Sequence, residues 1–415
     1  MVNIELHDEC KTLVKELLCY IKQEELKGHI ERNQYWNIPY IKDLEGFSTF
    51  TKARKIIAQM DNLSISSRDD LAKFTLNSFL SRFLSGDQNL DYEDRLFEKM
   101  YNDLETYLCA DSLKYRALMP LNNFLCDEDI RTSDGIVVRK YTEEDHTKLQ
   151  KELGIEERYL TKHILEFNYT IGKEKTVLSV DYIPEKELNK FISALRLYKS
   201  GDLIASMLIT EPLMWNPRGF RYPKRIYYKN PGGQDNQYLM TKDEIPRLID
   251  FWNFYNKDIE KKEYKRLDTA IRRFNLLYQR GDVSDEIIDL MIAFESLFLE
   301  DNEGELKYRL SIYVANFLGE DRNQRKQYHN VIKEAYKLRS SIIHGGLVLN
   351  EQEVIKDSIY NLKFDYDKSR IIEENKKVRK NTEDLLRKSI LKFIQEIKGG
   401  KNYEAIIEEI KDSVF

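Results

Sequence analysis

The apolar residues of this chain change their spacing twice. From about Glu5 to Tyr115 they recur every three or four positions, as Leu13, Leu17, Leu18 and Ile21 do, and again Leu71, Phe74, Leu76, Phe79, Leu80 and Phe83. That period matches the helical turn and gives each segment one apolar flank, so it predicts a helical N-terminal region. Ser85-Gly86-Asp87 interrupts the second segment, and Leu96, Met100, Leu104 and Leu108 resume it. Between about Leu118 and Lys229 the signals are those of strands. Ile136-Val137-Val138-Arg139-Lys140-Tyr141 follows a Ser133-Asp134-Gly135 turn, and residues 164–171 (ILEFNYTI) and 176–180 (TVLSV) flank Gly172-Lys173. Further strand candidates lie at 203–210 and 226–228, the latter leading into Asn230-Pro231-Gly232-Gly233. β-Branched and alternating runs bounded by Gly, Pro and Asn predict a small α+β module, with 185–198 as its helix.

From Thr241 onward the helical period returns. A helix starting near Thr241 or Asp243 passes through Ile249, Phe251 and Phe254, and a basic one runs from Lys261 to Tyr278, stopped by Gly281. Ser284 reads as an N-cap, with Asp285 and Glu286 in the first turn, where the helix dipole favours acids. The helix it opens, 287–299, is apolar on most faces and is expected at the centre of a core. Helices are also expected at 305–318, ended by Gly319, at 328–344, ended by Gly345-Gly346, and at 382–397, after a highly charged stretch at 353–380. The fold class is therefore mainly α with a smaller α+β middle module. The division expected is 1–117 (helical), 118–240 (α+β, sensing or regulatory) and 241–415 (a helical bundle).

Composition narrows the function classes. With 41% hydrophobic residues the chain has enough apolar side chains for real cores. A formal net charge of −5 excludes a protein that holds nucleic acid by bulk positive charge, although not one with a local basic cleft. The four cysteines, Cys10, Cys19, Cys109 and Cys126, form no CxxC pair and have no His at metal-ligand spacing, so they read as reduced thiols and no metal or cofactor is expected. The start lacks a signal-peptide pattern, and no apolar run reaches the roughly 20 residues of a membrane span. A cytoplasmic protein without membrane attachment is the expectation.

The chemistry concentrates in Tyr336-Lys337-Leu338-Arg339-Ser340-Ser341-Ile342-Ile343-His344. An Arg offers a planar, multidentate donor set for phosphate. A His five residues on, at a helix C-terminus, feels the negative end of the dipole, which favours imidazolium. Together they supply what RNA cleavage without a metal requires: proton transfer at the 2′-hydroxyl or leaving oxygen, and neutralisation of the phosphorane. Ser340 adds a polar group able to orient the phosphate. Glu295 lies inside the apolar stripe of Ile288, Met291, Phe294 and Phe298, so it needs a cationic partner such as Arg339 or Arg309. It either orients the catalytic Arg or forms a structural ion pair. Lys337, Arg272, Arg273 and Arg309 are candidate RNA contacts. The remaining basic run, Lys261, Lys262, Lys265 and Arg266, reads as a solvated helix face. Trp215, Phe220, Tyr222, Tyr227 and Tyr228 interleave with Arg218, Arg221, Lys224 and Arg225, a pattern that stacks bases, binds a protein trigger or simply forms a half-exposed sheet.

Four blocks between Leu267 and Leu349 resemble the Apea-like branch of the HEPN superfamily. They are Arg273-Phe274 through Tyr278-x-Arg280, Asp285 through Phe298 with its Ile292-Ala293-Phe294-Glu295-Ser296-Leu297, Glu305 through Leu310, and Tyr336-x-x-Arg339-Ser340-x-Ile342-x-His344-Gly345. Residue 340 is Ser, where active members often carry Asn, Asp or His. The resemblance implies a helical bundle that dimerises, or forms a higher even oligomer. Its paired Arg339 and His344 side chains build a composite ribonuclease site needing no metal. It further implies a toxin or abortive-infection role in antiviral defence, with RNA as substrate and a phage-derived protein as trigger. A non-catalytic scaffold of the same fold that binds RNA or nucleotide, or only dimerises, and recognises a foreign protein is the alternative.

Overall fold

The computed structural model describes residues 3–23, 30–32, 39–41, 44–60, 68–84, 91–147, 149–150, 162–173, 182–205, 207–217, 224–225, 236–258, 264–299, 306–344 and 366–413. The strand candidates at 176–180 and 226–228, the aromatic residues Phe220 to Tyr228, Lys261, Lys262 and the Gly345-Gly346 stop lie outside them. The protein is mainly helical, with a small sheet in the middle of the chain.

Four helices open the chain: α1 (Ile4–Gln23), α2 (Ser48–Met60), α3 (Arg68–Ser81) and α4 (Asp94–Cys109), with a short hairpin of β1 (Ile30–Arg32) and β2 (Pro39–Ile41) after the first. Their apolar flanks close on one another through Leu13, Leu17, Phe50, Ile57, Leu76, Phe79, Phe97 and Leu104, all buried. Cys10 is sealed here too, and burial raises its thiol pKa well above the ordinary value. Cys126 is also buried, Cys19 and Cys109 are exposed, and none of the four is in a disulfide.

The helical period expected as far as Tyr115 ends earlier, at Cys109, and β3 (Ser112–Asn122) begins. Its side chains alternate, as a strand requires. Leu113, Tyr115, Ala117, Met119 and Leu121 enter the main core, while Leu118 joins Ile164, Met207 and Ile209 in a smaller cluster on the opposite face. The sheet is completed by β5 (Ile130–Arg131), β6 (Ile136–Lys140), β7 (His163–Gly172), β8 (Ile204–Ala205), β9 (Met207–Pro212) and β10 (Lys224–Arg225). The strands run β10-β9-β3-β7-β6-β5, with β8 also on β3. β3 pairs with β7 from Ser112↔Gly172 to Leu121↔His163. On its other edge it pairs with β9 at Tyr115–Leu118 and with β8 at Leu121–Asn122. Pro120, which has no N–H to donate, falls in the gap between those two stretches, which is how a central strand tolerates it. β4 (Phe124–Cys126) makes a separate parallel pair with β11 (Tyr238–Met240). The short helix α5 (Glu143–Thr147) is tied to the sheet by Arg139, whose guanidinium reaches both Asp145 and Glu166.

The helix of the middle segment, α6 (Tyr182–Tyr198), packs against α7 (Ile245–Asp258), α8 (Lys265–Leu276) and α12 (Tyr366–Lys398), and the bundle is filled out by α9 (Val283–Phe298), α10 (Leu306–Leu318), α11 (Arg322–Ile343) and α13 (Tyr403–Asp412). Three local readings change. The N-cap of α9 is Asp282, whose carboxylate accepts the N–H of Ser284, so the helix starts one residue before Ser284. α11 begins at Arg322, not Tyr328, because Asp321 caps it by accepting from Asn323 and Gln324. From Tyr366 onward the charged stretch and the last expected helix are one continuous helix of 33 residues, α12, and α13 follows it, while 353–365 lie outside the described residues. α9 is central, as its composition requires. Ile287, Leu290, Met291, Phe294, Leu297 and Phe298 are all fully buried.

A buried charge network ties this bundle together. Glu383 on α12 accepts from Arg379 at 2.6 Å, from Arg387 at 2.7 Å and from the Tyr278 hydroxyl at 2.8 Å. Arg379 also donates to Glu286 on α9, and the Arg387 Nε–H donates to the Arg196 carbonyl on α6 at 3.0 Å.

Candidate functional site

Two helices build the site. α11 runs 22 residues from its Asp321 cap and delivers Arg339 and His344 to its far end. The His344 backbone leaves helical geometry (φ −90°, ψ 16°), and its N–H donates to the Ser340 carbonyl at 3.1 Å. The imidazole therefore sits at the C-cap and is exposed. Arg339 lies five residues earlier, about one and a half turns and 7–8 Å along the axis by the helical rise, and its guanidinium faces the ring of Tyr336 at 5.6 Å.

α9 supplies the countercharge. Glu295 Oε2 stands 3.7 Å from Arg339 Nη2, and both side chains are 23% exposed. The expected partner of the embedded carboxylate is thus Arg339 rather than Arg309. The contact is an ion pair without a hydrogen bond, since 3.7 Å exceeds donor–acceptor range. Glu295 Oε1 and Arg339 Nε are buried without hydrogen-bond partners among the described residues. Burial raises the Glu295 carboxyl above its usual value, and Arg339 pulls it partly back. The guanidinium is thereby held in place electrostatically while its directional donors stay uncommitted to the carboxylate. That is the state in which an Arg can take up a phosphate fork.

The other predicted residues are distributed over several helices. Ser340 is half-buried, with its carbonyl engaged by His344. Lys337 is exposed on the same helix as Arg339. Arg309 is half-buried on α10, which packs along α11. Arg273 on α8 is committed to Asp289, at 2.7 Å, and Arg280 reaches the same buried carboxylate at 3.1 Å. Those pairs lock α8 to α9. Arg272 is exposed, pairs with Asp268 one turn back at 3.1 Å, and lines a separate groove beside Lys190, Tyr255 and Asn275. The structure therefore brings Arg339 and Glu295 together, with Lys337 before them and Ser340 and His344 after them along the end of α11.

The N-terminal half of α10 and the middle of α11 enclose an open groove of about 720 Å³ between residues 306–311 and 329–336. Its signal in the sequence is the recurrence of His329, Lys333, Tyr336, Ser340 and His344 at intervals of four, three, four and four. That spacing puts them on one face of a helix.

Among the described residues no group of three or more His, Cys, Asp or Glu side chains is arranged to hold a metal ion, and no helix is long and apolar enough to cross a membrane. No known protein family, curated protein or solved structure matches the chain.

Proposed function

We propose that the chain is an endoribonuclease of the HEPN type that cleaves RNA without a metal. Its site is composite: the Arg339 and His344 side chains of two protomers meet across a homodimer axis. The observation that carries this reading is the end of α11. An Arg steadied by a half-buried carboxylate, with its hydrogen-bonding donors uncommitted to it, stands about one and a half turns from an exposed His at the C-cap.

The chemistry follows from the residue types. One imidazole removes the 2′-hydroxyl proton as that oxygen attacks the adjacent phosphorus. A second, protonated imidazole donates to the departing 5′-oxygen, leaving a cyclic phosphate and a 5′-hydroxyl. A single His cannot do both at once, which is the physical reason to expect two protomers. Arg339 neutralises the extra negative charge on the phosphorane, and Glu295 keeps the guanidinium in place. A nuclease of this kind acts in the cytoplasm as a toxin or abortive-infection effector, and the residues before 241 sense a phage-derived trigger or restrain the site.

Arg339→Ala and His344→Ala should each lower RNA cleavage by about a hundredfold or more, with the circular dichroism spectrum unchanged. A purified, folded double variant that cleaves like the wild type sinks the assignment. RNA binding with no cleavage products, even with the trigger present, selects the non-catalytic scaffold instead.

A further inference from the structure

The groove beside the Arg339–His344 end has a composition that selects a ligand. Its α10 wall offers Leu306, Lys307 and Tyr308, and its α11 wall His329, Lys333 and Tyr336. The Tyr308 side chain is 60% exposed, an unusual state for a ring that could have been packed. No acidic residue is among the described lining residues. Lys307, His329 and Lys333 make no ion pair or side-chain hydrogen bond among the described residues, and neither does Lys337, one turn further on. Several other basic side chains of the bundle are spent on carboxylates, as Arg273, Arg280 and Arg379 are. α11 carries six Lys and Arg residues against the single Glu334. Unpaired positive charge is thus gathered on this face, together with two aromatic rings.

We propose that this groove binds an unpaired base of single-stranded RNA, with the strand running along α11 so that its backbone reaches Arg339 and His344. The proposal rests on the ribonuclease reading of the α11 end and names the form of RNA that end receives. Tyr308 and Tyr336 provide the flat surfaces, Lys307 and Lys333 meet the flanking phosphates, and Tyr336 joins the two parts because the Arg339 guanidinium lies over its ring. The stripe from His329 to His344 covers about 22 Å of helix, long enough for several nucleotides of extended strand. Bases in a duplex are already stacked on one another, so a double helix meets only the cations. The groove therefore discriminates for unpaired segments before any chemistry occurs.

The test uses the full chain and a short fluorescent single strand of 2′-O-methyl RNA, which lacks the attacking hydroxyl and so survives the assay. Anisotropy at low salt should show Tyr308→Ala weakening binding about five- to 150-fold and Tyr308→Phe leaving it within about twofold. Lys307→Ala and Lys333→Ala should each weaken binding and flatten its salt dependence by about 0.7 in the logarithmic slope. The duplex of the same sequence should be insensitive to Tyr308→Ala. Wild-type affinity in Tyr308→Ala, or no single-strand binding by the wild type at low salt, overturns the proposal. So does a fall in solution mass on that substitution, which makes the face an interface between copies. The two readings separate cleanly. If His344→Ala abolishes cleavage of unmodified RNA while Tyr308→Ala binds normally, the groove is wrong and the site stands. If His344→Ala cleaves like the wild type while Tyr308→Ala still loses affinity, the groove stands and the site is wrong.

Discussion

Glu295 and Arg339 form an asymmetric pair. The carboxylate is half-buried, its proton affinity raised by that burial, and Arg339 is the cation that offsets the cost. An acid with a raised folded-state pKa contributes stability below its unfolded pKa and loses it as pH rises through the folded one. Removing Arg339 pushes that pKa higher still, because the charged carboxylate is left without its partner. Arg339→Ala should therefore be destabilised at neutral pH and approach wild-type stability as the pH falls into the carboxylate range. Urea melts at a series of pH values check this. Adding Glu295→Gln to Arg339→Ala should recover most of the neutral-pH loss, and a pH-independent deficit would show that packing, not charge, dominates. His344, exposed at a helix end, should move stability by no more than about 0.5 kcal/mol when replaced by Ala.

At the scale of elements, the join between α10 and α11 is tight. A Cβ added at Gly319 would lie 2.5 Å from Arg325 Cγ and 2.7 Å from the Ala315 carbonyl oxygen, whereas one at Gly281 would meet nothing within 4 Å. Gly319→Ala should cost about 1–3 kcal/mol through overpacking against backbone, and Gly281→Ala should be close to neutral; thermal melts of both variants give the comparison. The stop at Gly319 is legible in the sequence because glycine after an apolar stripe marks a helix end. β3 is less legible. Its alternation through Leu113, Tyr115, Ala117 and Met119 starts only five residues after the last member of a helical stripe, Leu108, and Leu118 is buried on the opposite face, so the run is apolar on both sides and loses its period. The caps show the same limit. Asp282 and Ser284 are both capable of capping, and only backbone geometry chooses between them. For the site, the Arg339–His344 spacing and the need of Glu295 for a cation are visible because both concern local or forced pairings. The groove is not, because it exists only where residues 306–308 come beside residues 329–336, and periodicity on one helix does not name its neighbour.

Across the whole molecule, the segments share one core. Phe191 of α6 stacks edge-on against Trp252 of α7, the Tyr238 hydroxyl donates to the Leu195 carbonyl, and Lys199 pairs with Glu244. The Glu383 network then fastens α12 to α6, α8 and α9 simultaneously. Glu383→Ala would strand Arg379, Arg387 and Tyr278 with a buried donor each, and should cost about 3–5 kcal/mol, read as a large fall in the urea midpoint. A loss near zero would mean that the arginines find other acceptors. The disposition of the cysteines turns this shared core into something that can be timed. Two sulfurs, at positions 19 and 109, lie on the surface of the N-terminal helices, and the other two are sealed inside. Iodoacetamide followed by intact-mass spectrometry should add two alkyl groups to the native chain quickly and the remaining two only as it opens. The lag before the third and fourth additions then measures the native-state opening rate, and a change in that lag when RNA or a phage lysate is added would report an encounter without any assay for cleavage.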